Sequence, residues 1–228
     1  MLFSLFNSGL PTKIMIAILI AYIVVLLFSL GTHEFAHAYM ACRNGDYTAK
    51  HMGRMTMNPF AHFDTYGFVC LIVLGFGWAK PVPVVPEYFN RGRKSMFQVA
   101  IAGIVSNLIL ALLFACLAGA VSTFAPNFFF GLNFWSVLVK HIIMLGMEIN
   151  LSLAVFNLLP FYPLDGSKIL ELCLKPGNKF LDFLKKYSML IMLACLFFGI
   201  ISYIINICVS FLGTGMLVMW GWFFNIFI

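Results

Sequence analysis

The chain has 228 residues, 62% of them hydrophobic and only 10% charged, with a formal net charge of +6. A soluble domain carries roughly a quarter of its residues charged, so this composition excludes a soluble enzyme and points to a bilayer as the solvent. The positive balance does not mark a nucleic-acid binder, because the basic residues sit in loops beside apolar segments, where they orient a membrane protein.

The first long apolar run covers residues 14–42 and exceeds the roughly 20 residues that a span needs. No basic region precedes it and no small-residue cleavage site follows, so it reads as a span and not as a signal peptide. Residues 53–58, Gly-Arg-Met-Thr-Met-Asn before Pro59, alternate apolar and polar side chains, which predicts a short strand. The apolar run 66–78 is too short for an ordinary span and predicts a re-entrant or interfacial piece. Residues 80–86 are β-branched but rich in proline, as in an edge strand or an extended loop.

Further apolar runs at 97–121, 134–159 and from 187 onward predict three more spans. The last reads as one span with a trailing interfacial segment, the other reading being a tight hairpin around Gly213-Thr214-Gly215. Arg43, Lys50 and Arg54 follow the first run; Lys80, Arg91, Arg93 and Lys94 follow the short one; Lys168, Lys175, Lys179, Lys185 and Lys186 precede the last. Residues 122–133 carry no charge. By the positive-inside rule the basic clusters are cytoplasmic and the 122–133 loop and N-terminus external, provided that 66–78 dips in and returns. The expected fold is an all-α polytopic membrane protein of about four transmembrane helices, a re-entrant segment and a small cytoplasmic β element. The whole chain, 1–228, reads as one membrane-embedded domain with a core at about 14–170 and a C-terminal membrane segment at about 187–228. The six cysteines are scattered with no C-x-x-C pair and read as small apolar core residues.

His33-Glu34-Phe35-Ala36-His37 matches H-E-x-x-H. On a helix, positions i and i+4 share a face, so both imidazoles can reach one Zn²⁺. Glu34 is then placed to serve as general base and not as a ligand. A hydrolytic zinc takes a third protein ligand and keeps one open position. Asp165 is the candidate: Pro160 and Pro163 break the preceding helix and Gly166 permits a turn. Charge counting puts Asp165 at the same membrane depth as the two histidines. His62 and Asp64 read as loop hydrogen-bonding groups, and Lys140 and His141 as interfacial ones. Asn150 and Asn157 share a helix face.

HEFAH in one span and NLLPFYPLDG at the end of a later one resemble the paired signatures of the site-2 protease family of intramembrane zinc metallopeptidases. GRMTMNPFAHFD and GFGWAKPVPV resemble its compact bacterial members without a PDZ domain. The resemblance covers the chain to about residue 170. It implies one Zn²⁺ held by His33, His37 and Asp165, Glu34 as base, and Asn157 as a contact to substrate backbone. It also implies Asn107 as an oxyanion group, although Ala-Gly-Ile-Val-Ser-Asn at 102–107 lacks the family's usual proline. The expected reaction is hydrolysis of a peptide bond in or near a transmembrane segment of a membrane protein or remnant signal peptide, at the cytoplasmic face of a bacterial cell membrane. An extended substrate would pair with the strand carrying Arg54, Met55, Thr56 and Met57. The partners expected are that substrate and the lipid bilayer, with no nucleic acid. Two other readings use the same residues: a non-catalytic protein that binds membrane helices, and a metal-ion transporter.

Overall fold

Four helices are long and apolar enough to cross a membrane among the described residues: α1 (Thr12–Arg43), α3 (Arg93–Phe124), α5 (Phe134–Leu158) and α8 (Ile200–Asn225). The structure is a computed structural model and describes residues 9–62, 64–67, 79–175 and 177–228. Shorter helices lie between the spans: α2 (Thr48–His51), α4 (Pro126–Phe129), α6 (Asp165–Cys173) and α7 (Lys179–Phe197). The multi-pass helical bundle is therefore as expected. Of the 66–78 segment only Tyr66 and Gly67 are described, so its expected re-entrant path lies outside the described residues.

The spans dock through small side chains placed every fourth residue. On α1 the buried positions Ala17, Ala21, Val25, Ser29, His33, His37 and Ala41 form one stripe. On α3 the matching stripe is Ser95, Val99, Gly103, Asn107, Ala111, Ala115 and Gly119. On α5, Gly146, Asn150 and Ala154 repeat the spacing. Lipid tails are as apolar as leucine, so helices in a bilayer associate by close backbone packing and interhelical hydrogen bonds, which small residues permit. α1, α3 and α5 each pack against the other two, and α8 leans on α3 and α5. Asn150 Nδ2 donates to Ser29 Oγ at 2.8 Å and so ties α5 to α1.

Successive spans run in opposite directions. The C-terminal half of α1 meets the start of α3, where His37 Nδ1 lies 2.7 Å from the Val99 carbonyl oxygen. The far end of α3 meets the far end of α8 through Phe124 and Phe224, whose ring centroids are 5.8 Å apart. At roughly 1.5 Å per residue, His33 lies about 29 Å beyond the start of the apolar run at Ile14. That is about the thickness of a hydrocarbon layer.

No strand is present among the described residues, which corrects the expected β element. In 53–58 the alternating pattern loses to local bonding. Gly53 turns the chain at φ +67°. Thr56 Oγ1 accepts from the Asn58 N–H, Asn58 Oδ1 accepts from the Phe60 N–H, and His62 Nε2 bonds the Thr56 carbonyl. Side chains that satisfy nearby backbone in this way compete with a sheet ladder. Arg54, Met55, Thr56 and Met57 therefore lie in a bent loop and not on a pairing strand. The 80–86 stretch has no ladder either: its N–H groups go to His62, Glu34 and Asp46.

The C-terminal region also differs in its start. The run from 187 is divided by Gly199, at φ +72°, into the end of α7 and a separate α8. α8 continues unbroken through residues 213–215, as the single-span reading requires.

Candidate metal centre

The histidines occupy the docking stripe of α1, so packing the helix also buries them: His33 is 5% exposed and His37 6%. The third group comes from 128 residues further on. Leu159, before Pro160, is extended, which ends α5. The chain turns and α6 begins at Asp165. Gly166 has no side chain because a Cβ there would overlap the carbonyl oxygens of Leu158 and Leu159. The start of α6 is thereby pressed onto the end of α5, and Asp165 points at the two imidazoles.

The three donor atoms form a tight triangle. His33 Nε2 and His37 Nε2 are 3.1 Å apart, and Asp165 Oδ2 lies 3.3 Å from the first and 2.9 Å from the second. A tetrahedral zinc with bonds of about 2.0–2.1 Å separates its ligands by roughly 3.3 Å, so the triangle matches one face of such a site. Asp165 Oδ2 is buried with no hydrogen-bond partner of acceptable geometry. The convergence of its lone pairs with those of the two Nε2 atoms on one point is satisfied by a shared cation. His37 Nδ1 faces the Val99 carbonyl, which fixes the tautomer and leaves Nε2 free to coordinate. Burial alone would raise the Asp165 carboxyl, but the facing imidazoles and the Lys168 ammonium outweigh it and hold the group well below the usual carboxylate range. These residues fit one Zn²⁺: two imidazoles and one carboxylate, with room left for an open position.

The triangle opens on a cavity of about 550 Å³ lined by Glu34, Pro81, Val82, Asn157, Asp165 and Lys168 among others. Glu34 Oε2 accepts the Val82 N–H at 2.9 Å. Asn157 lines the cavity, with its Nδ2 donating to the Leu153 carbonyl of its own helix. Asn107 does not line it; it is fully buried in the α3 stripe, one turn from Gly103. His62 is buried and bonded to Thr56, and Asp64 accepts the Gly67 N–H, as loop groups do. Sequence reasoning missed Val82, Lys168 and Asp46. Asp46 is fully buried and accepts the N–H groups of Thr48 and Val85, which pins the 80–86 stretch over the cavity.

Fold and site together define a multi-pass membrane helix bundle with a His-His-Asp zinc site beside a glutamate. The family model for peptidase family M50 matches residues 21–199, and the chain belongs to that family. It is 41% identical over 160 residues to the candidate zinc metalloprotease YwhC of Bacillus subtilis, covering 70% of this chain and 72% of that protein. It is 31% identical over 169 residues to the candidate zinc metalloprotease Rip2 of Mycolicibacterium smegmatis, covering 72% of this chain and 61% of that one. It is 33% identical over 107 residues to the candidate zinc metalloprotease MJ0611 of Methanocaldococcus jannaschii, covering 46% and 49% of the two. No solved structure matches the chain.

Proposed function

We propose that this chain, as one catalytic domain, hydrolyses a peptide bond in or near a transmembrane segment, with His33, His37 and Asp165 as the zinc ligands and Glu34 as the general base. The observation that carries the reading is the convergence of these three donors, from two distant parts of the chain, beside Glu34 and one open cavity. Membership of peptidase family M50 supplies the reaction class. Zinc bound there would supply a Lewis acid that makes hydroxide available near neutral pH.

The protein's own residues do the rest. With Oε2 of Glu34 held by the Val82 N–H, Oε1 is the atom free to take a proton from the attacking water. The same carboxyl then delivers that proton to the leaving amine. Asn157 stands on the cavity wall, where it can accept or donate to substrate backbone. Asn107 does not line this cavity, so its oxyanion role stays secondary in this reading. The substrate is a single-span membrane protein or a remnant signal peptide. The basic clusters at Arg43–Arg54 and Lys168–Lys186 support a cytoplasmic active site.

Glu34→Gln tests the assignment. It keeps a similar shape and hydrogen-bonding capacity but loses the base, so purified variant should bind zinc as the parent does and cleave a model transmembrane substrate at least about 100-fold more slowly. Cleavage at the parent rate would remove Glu34 from the chemistry.

A further inference from the structure

The carboxylate of Asp165 has two oxygens with different surroundings. Oδ2 faces both imidazoles. Oδ1 faces the ammonium of Lys168, one turn further along α6, at 3.1 Å. The Asp165 side chain is 6% exposed and that of Lys168 44% exposed. Lys168 also lines the cavity that holds Glu34, and it is the one lysine or arginine among the described residues doing so.

We propose that Lys168 is a positioning residue of the zinc site: by holding Oδ1 it makes Asp165 present Oδ2 alone to the metal. The proposal rests on the zinc reading above. A free carboxylate can turn about its Cβ–Cγ bond and offer one oxygen or both. An ammonium fixed on one oxygen removes that freedom and leaves the other aimed at the imidazoles. Partners that orient a ligand in this way commonly change metal affinity about 10–100-fold when removed. The i, i+3 spacing on α6, with the acid toward the helix start, is the geometry in which such a pair forms without distortion. As an ion pair whose ammonium is largely open to solvent, it would contribute little to the stability of the fold. Affinity for the metal and stability of the fold therefore separate the two roles.

The test measures zinc affinity of the full-length protein in detergent by competition with a chromogenic chelator, for the parent, Lys168→Met and Lys168→Arg. The expected result is a zinc dissociation constant raised about 10–100-fold in Lys168→Met and returned to within a few-fold of the parent in Lys168→Arg. Thermal midpoints of the zinc-stripped proteins should coincide. Should Lys168→Met prove poorly folded, Lys168→Gln replaces it with the same expectation. Parent-like affinity in the Met or Gln variant, or an Arg variant as weak as Met, overturns the proposal. A parent that retains no zinc overturns the underlying zinc reading instead.

Discussion

Gly103 of α3 lies against His37 of α1 so closely that a methyl group on its α-carbon would stand 2.5 Å from His37 Nε2. The same methyl would be 2.5 Å from His33 Cε1 and 2.7 Å from His33 Nε2. The missing side chain is thus part of the metal site: backbone of one span forms the floor under the imidazoles of another.

Gly103→Ala should therefore damage the site more than the fold. The imidazoles must give way, and a displacement near 1 Å is enough to cost about 100-fold in rate. Cleavage of a purified substrate and zinc content, measured together, check this; both should fall while the helical circular dichroism signal stays.

Asp46 gives a prediction with a pH signature. Burial pushes its carboxyl up, but the hydrogen bonds from Thr48 and the Val85 N–H outweigh that and hold it below the usual carboxylate range. A group with a lowered pKa in the folded state stabilises fully above its unfolded value, near 3.9, and loses that contribution as pH falls through the folded value. Asp46→Ala should cost about 1–3 kcal/mol at neutral pH, and its thermal midpoint should approach the parent's as pH drops below about 4. A gap that stays constant through that range would contradict the clamp.

Asn150 and Ser29 test the docking of α5 on α1. Interhelical hydrogen bonds of this kind in a bilayer average about 0.6 kcal/mol, so a double-mutant cycle of Asn150→Ala and Ser29→Ala should return a coupling of that order. A coupling of zero would mean that shape alone holds these helices.

The parts of this molecule readable in sequence are those set by local spacing. The four spans follow from run length. Two of the three clustered donors follow from the i, i+4 rule, and Asp165 from two prolines and a glycine that end the preceding helix. The strand at 53–58 did not form because Thr56 and Asn58 bond their own backbone, which an alternating pattern does not reveal. The contacts of Val82 with Glu34 and of Val85 with Asp46 span 48 and 39 residues and depend on how loops fold over the bundle. Gly103 was half visible. The four-residue stripe from Ser95 to Gly119 marks the helix face, but which imidazoles it meets is decided by packing.

The most direct measurement is zinc content alongside cleavage of a single-span substrate by the purified protein, before and after chelation. One zinc per chain, cleavage lost with the metal and restored by adding zinc back, is the result this account predicts. Cleavage that continues undiminished in protein stripped of zinc would contradict it.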